Sequence, residues 1–110
     1  MTVNALCERL GLVCVAGMGG LDRDVSGCYL GDLLSHAMSR LEKGNVWITV
    51  MGHVNAVAVG VHTQAGCILL CEGAALDGDA AARADQYALP VLVSEQSAFA
   101  LAAKLHALAV

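Results

Sequence analysis

The chain has 110 residues, a net charge of −4 and a hydrophobic share of 57%, which bounds it to a single domain, 1–110, long enough to bury a core. Its six Lys and Arg residues are scattered along the sequence, so there is no basic stripe for a nucleic acid and no polybasic anchor, and no apolar run is long enough to span a bilayer. Ala and Val dominate the apolar residues and aromatics are confined to Tyr29, Trp47, Tyr87 and Phe99, which predicts a core of small side chains packed closely.

Val3, Leu6, Cys7 and Leu10 recur at helical spacing, with Thr2 to cap the start and Gly11 to mark the end. Leu12–Ala16 reads as a short apolar strand. Gly17-Met18-Gly19-Gly20 reads as a loop: it lacks the third glycine of a dinucleotide fingerprint and has no Walker lysine beside it. Val25–Tyr29 is expected to be extended. Asp32–Leu41 places Leu33, Leu34, Ala37, Met38 and Leu41 on one helical face, and Glu42–Asn45 ends it. Val46–Val50 is a strand of strong β-formers. Asn55–Thr63 is an apolar helix with Asn55 as its N-cap. Cys67–Cys71 is a continuous apolar run suited to a central parallel strand. Asp77–Tyr87 is an exposed helix. Pro90 introduces the strand Val91–Val93, and Ser97 caps a last helix through Leu108.

Three strand–helix units in succession with short connections predict an α/β fold, a mainly parallel sheet flanked by helices in α/β/α layers. The apolar excess leaves surface for association, and a homodimer is expected. Asn4, Glu8 and Arg9 in the first turns are unlike a secretory leader, so a cytoplasmic protein is expected. Cys7, Cys14, Cys28, Cys67 and Cys71 form an odd set without a C-x-x-C, which points to free thiols rather than a disulfide framework or zinc ribbon. Cys67 and Cys71 share a strand face at a separation of roughly 13 Å, too far for a disulfide or a shared metal.

Ligands of open parallel sheets settle at the carboxyl ends of strands, where helix N-termini offer free N–H groups. Three polar interruptions mark such ends: Met51–Asn55, Glu72–Ala74 and Ser94–Ser97. The candidate ligand-binding residues are therefore Thr49, Gly52, His53, Asn55, Glu72 and Ser94. His53 is the most reactive of them and can bind a ligand, move a proton or simply order its loop. Glu72 and Glu95 offer an acid pair or solvated loop carboxylates. No catalytic constellation, metal site or cofactor is indicated. Asp22 and Arg23, ahead of the Ser26-Gly27 turn, either contact a ligand or partner or fix the start of the helix at Asp32 by a charge pair or cap.

The stretch Asp22-Arg23-x-Val25-x-Gly27, followed by Tyr29-x-x-Asp32-Leu33-Leu34-Ser35 and Met38, resembles the DRTGG domain family. Trp47-Ile48-Thr49, His53-x-Asn55, Ala56–Val59, the Asp77 helix and Leu89-Pro90-Val91-Leu92 extend the likeness over the whole chain. Cys28 stands where the family has the second of its paired glycines, and a positive φ there would strain it. The resemblance implies a fold like the N-terminal domain of HPr kinase/phosphorylase, which lies apart from that enzyme's phosphate loop. It also implies a regulatory or assembly role, as in pyrophosphatases where such domains sit among CBS domains. Stand-alone forms resemble proteins encoded near iron hydrogenases and electron-transfer genes. The expected function is a non-catalytic module sensing a small ligand, such as a nucleotide, or a partner protein. A small acid–base enzyme using His53 with Glu72 or Glu95, and a metal or iron–sulfur accessory protein using the cysteines and His53, are the alternatives.

Overall fold

The structure, a computed structural model, describes residues 1–110 throughout. Helix α1 (Val3–Leu10) begins where Thr2 Oγ1 accepts the Ala5 N–H at 3.1 Å, and it ends on Gly11 in the left-handed region, so both boundaries follow from cap chemistry. Strand β1 (Val13–Ala16) leads into a 3₁₀ turn over Met18–Gly20. Gly17 has φ 70°, and a Cβ there would lie 1.9 Å from the Leu89 carbonyl oxygen. Only glycine allows the chain to pass so close.

The remaining elements alternate: β2 (Cys28–Leu30), α2 (Leu34–Arg40), β3 (Val46–Thr49), α3 (Val54–His62), β4 (Cys67–Leu70), α4 (Gly78–Tyr87), β5 (Val91–Val93) and α5 (Ala98–Ala107). The five strands form one sheet in the order β1-β5-β4-β3-β2. β2 through β5 run parallel, with Tyr29 opposite Trp47, Trp47 opposite Ile68 and Ile68 opposite Val91. β1 pairs antiparallel with β5 and carries an irregularity between Cys14 and Ala16. The mainly parallel α/β sheet read from the sequence is the fold observed.

Alternation along the strands divides the core in two. Val46, Ile48, Cys67, Leu69, Cys71 and Leu92 face Val3 and Leu6 of α1 and Leu101 and Leu105 of α5. Trp47, Ile68, Leu70 and Val91 face Ala37 of α2, Ala56, Val57 and Val59 of α3, and Ala80 and Ala84 of α4. Cys67 and Cys71 thus share one face, as a two-residue period requires. Trp47 is fully buried, and its indole N–H donates to the Gly31 carbonyl at 3.0 Å. Gly60 lets α3 lie close to the sheet: a Cβ there would come within 2.8 Å of Leu89 Cδ2 and 3.2 Å of Ile68 Cδ1.

Three local expectations are corrected. Helix α2 starts at Leu34, not Asp32, because the Asp32 carboxylate is held by the end of β3. Asn55 is not a cap: α3 starts at Val54 after His53, and Asn55 is exposed in its first turn. The Gly52 carbonyl accepts the Asp77 N–H at 2.8 Å and a Cβ on Gly52 would meet the Ala75 oxygen at 1.8 Å, so the chain is pinned and turned before Asn55. Val25–Tyr29 is not extended throughout, because Gly27 at φ 74° turns the chain ahead of β2; the Val25 N–H donates to the Met1 carbonyl, beside a bridge between Thr2 and Asp24.

Candidate functional site

The three loops after β3, β4 and β5 converge on one edge of the sheet, as parallel strands dictate. They are bonded to one another through the backbone. Cys71 N–H donates to the Thr49 carbonyl at 3.1 Å, Glu72 N–H to Gln96 at 2.8 Å, Gly73 N–H to Ser94 at 3.0 Å, and Ser94 N–H to Leu70 at 3.0 Å. Thr49 is buried, and its hydroxyl donates to Asp32 Oδ1 at 2.7 Å while accepting the Met51 N–H at 3.3 Å. Thr49 and Asp32 therefore shape this edge from within.

His53 is half-buried at the head of α3, and its ring makes no capping bond. Glu72 is exposed with φ 56°. Glu95 folds over Gly73, whose missing Cβ leaves room for its carboxylate; a Cβ there would lie 2.6 Å from Glu95 Oε2. Ser94 Oγ accepts the Gln96 N–H at 3.1 Å. Beside this edge lies an open groove of about 650 Å³, walled by Ser94, Glu95, Gln96, Leu76 and the exposed β1 residues Val13 and Val15. Among the six candidate residues only Ser94 lines it. The structure thus brings Thr49, Gly52, His53, Glu72 and Ser94 to one edge and leaves Asn55 on the outer surface of α3.

The motif residues take structural roles that the sequence left open. Arg23 forms no hydrogen bond with Asp22 and does not fix the start of α2. Its guanidinium donates instead to the Ala65 carbonyl at 3.2 Å and the Tyr87 carbonyl at 3.1 Å. Asp22 is exposed and Val25 is buried. Gly27 has φ 74°, and a Cβ there would lie 2.9 Å from the Asn45 amide nitrogen, which donates to Ser26 at 2.8 Å. Cys28 begins β2 in extended backbone and is not among the positive-φ residues, so replacing the family's second glycine costs no strain here. Tyr29 packs partly buried against the α2–α4 side of the core.

A second groove, of about 530 Å³, opens at the opposite, amino edge, between Arg23, Lys43, Val61, Gln64, Tyr87 and Leu89. Sequence reasoning missed it because its walls come from segments far apart in the chain; Arg23 in the motif was the one signal available.

Burial raises the pKa of all five cysteines above the ordinary thiol value. For Cys28 desolvation carries it to about 11. They are protonated core and near-core thiols, unsuited to attack or to metal ligation without prior ionisation. No three His, Cys, Asp or Glu side chains converge as metal ligands would, and no helix is long and apolar enough to cross a membrane.

No family model matches the chain, and no curated protein matches it. Among solved structures it is similar to the CBS and DRTGG domains of the regulatory region of Clostridium perfringens pyrophosphatase, complexed with the activator diadenosine tetraphosphate. The TM-score is 0.69 at 7% identity over 93% of this chain. The chain shares its fold with a part of that regulatory region. It spans 44% of the neighbour's length, and at this identity the likeness speaks for architecture alone. A DRTGG-like fold accords with the motif residues Arg23, Val25, Gly27, Tyr29 and Asp32, which hold defined places in it, while Asp22 is exposed.

Proposed function

We propose that the chain is a non-catalytic regulatory or assembly module that acts as a homodimer and uses the Thr49–His53, Glu72 and Ser94 edge to sense a small ligand or a partner protein. The observation that carries this reading is the shared fold with a regulatory region that is described in complex with an activator. The side chains support it. An acid–base enzyme needs its histidine oriented by a carboxylate, whereas the His53 ring stands without such a partner. An accessory metal protein needs converging ligands, and none converge.

The homodimer reading draws support from the β1 edge. Gly11–Leu21 carries no charged residue, and Val13 and Val15 are 59% and 41% exposed on a strand paired on one side only. An uncharged edge of this kind can pair with another copy over the part of β1 ahead of its irregularity. Sedimentation at micromolar concentration should show a dimer; a single monomeric species up to high concentration removes that part of the proposal. For the site, His53→Ala should abolish response to partner or ligand while changing stability by less than about 1 kcal/mol. Loss of folding would make His53 structural. ATP turnover by the purified chain, lost on a point substitution within it, would overturn the non-catalytic reading.

A further inference from the structure

The carboxyl edge gathers Asp32, Glu72, Asp77 and Glu95. The amino-edge groove has Arg23, Lys43 and a single acid, Asp24, in its walls. A smaller recess of about 230 Å³ adjoins it, sharing Val61 and Tyr87 and adding His62 and Arg83. Two of the chain's six Lys and Arg residues, Arg23 and Lys43, therefore line the groove, and a third, Arg83, lines the recess beside it, on a molecule whose net charge is −4.

Helices α3 and α4 end on this side, and unpaired carbonyls at helix C-termini normally repel an anion. Here Arg23 donates to the carbonyl of Ala65, just beyond α3, and to that of Tyr87, the last residue of α4. Those two bonds offset the local negative charge and lock the guanidinium fork in place. Arg has five donors, so others remain for a ligand. Lys43 and Arg83 are exposed and uncommitted to any hydrogen bond, and they stand in the walls of the groove and recess. The Tyr87 side chain is 45% exposed at the junction, with Val61 and Leu89 as the apolar floor. A ring, an apolar floor and several cations together match a planar ring carrying a multiply charged group, within the size range of small-molecule sites.

We propose that this amino-edge groove is a binding site for an aromatic phosphate monoester of nucleoside monophosphate size, with the ring against Tyr87 and the phosphate between Arg23, Lys43 and Arg83. The site shares no residue with the His53 edge, and it stands or falls independently of the reading given for that edge.

Calorimetric titration of the full chain with AMP, adenosine and inorganic phosphate tests it. AMP should bind more tightly than either fragment. Lys43→Gln and Arg83→Gln, both at exposed positions, should each weaken AMP by about tenfold, the loss expected for a charge-assisted contact. Tyr87→Leu should weaken it too, because the Arg23 bond goes to the Tyr87 backbone and survives the change. His53→Ala should leave AMP binding unaltered. Absence of AMP binding at millimolar concentration, binding indifferent to the Lys43, Arg83 and Tyr87 substitutions, or phosphate binding as tightly as AMP would each overturn the proposal. Loss of AMP binding in His53→Ala with the groove variants unaffected would place the ligand at the carboxyl edge instead, sinking this inference while sparing the earlier one.

Discussion

Asp32 Oδ1 accepts two hydrogen bonds from the end of β3, from the Thr49 hydroxyl at 2.7 Å and from the Val50 N–H at 3.0 Å. The carboxylate thereby fastens the segment between β2 and α2 to the strand beside it, and it satisfies a buried hydroxyl. Asp32→Ala should lower stability by about 2 kcal/mol, since it removes a charged acceptor and orphans Thr49 Oγ1. Asp32→Asn, whose amide oxygen can still accept, should lose less. Urea unfolding followed through the buried Trp47 gives both values, and equal losses would contradict the role assigned to the carboxylate.

Arg23 joins three segments with two side-chain bonds. Arg23→Met keeps most of the aliphatic stem and removes both donors, leaving the Ala65 and Tyr87 carbonyls to water or to nothing. A loss of about 1–3 kcal/mol is expected, moderated by the partial exposure of the site. The same unfolding measurement checks it, and a stability unchanged by the substitution would show that water replaces the guanidinium without cost.

Gly17→Ala should be among the most damaging single changes. The added methyl has backbone on its path, not a side chain that can turn away, and φ 70° is itself unfavourable for alanine. A penalty of at least about 3 kcal/mol, or failure to fold, is expected. Gly78→Ala is the control: nothing lies within 4 Å of its would-be Cβ, and it starts α4, so stability should hold or rise slightly.

Alkaline pH should weaken the fold through Cys28. Its folded pKa is raised from 9.0 to about 11, while the unfolded thiol ionises near its ordinary value. Below pH 9 both states keep the proton and the contribution is intact. Between pH 9 and 11 the unfolded state releases it first, so stability falls with rising pH. Melting temperatures from pH 8 to 11 should therefore decline more steeply in the parent chain than in Cys28→Ala; parallel curves would exclude this cause.

The elements were largely legible because their signals are local. Thr2 and Gly11 delimit α1, Ser97 accepts the Ala100 N–H at 3.1 Å at the start of α5, and the apolar run Cys67–Leu70 is the central strand. What sequence could not carry was non-local. Asp32 reads as a helix opener until Thr49, seventeen positions on, claims its carboxylate. Asn55 reads as a cap until Gly52 is pinned to Ala75 and Asp77. Nothing near Arg23 announces partners at Ala65 and Tyr87. The convergence of the three loops on one edge followed from parallel topology, whereas the amino-edge cleft depends on the ends of α3 and α4 meeting a segment from before β2.

The pairing of β1 with β5 sets the timing of the molecule's birth. β1 is complete sixteen residues into the chain, yet Val13 and Cys14 find their partners at Val93 and Leu92. A growing chain emerges at about 5–20 residues per second, so this uncharged strand waits several seconds for the segment that covers it. Until then both of its edges are free, and the sheet can close only after β5 has been made. A chain halted before residue 91 would leave β1 unpaired and β4 paired with β3 alone, and such fragments should be captured by holding chaperones in proportion to how long synthesis pauses there.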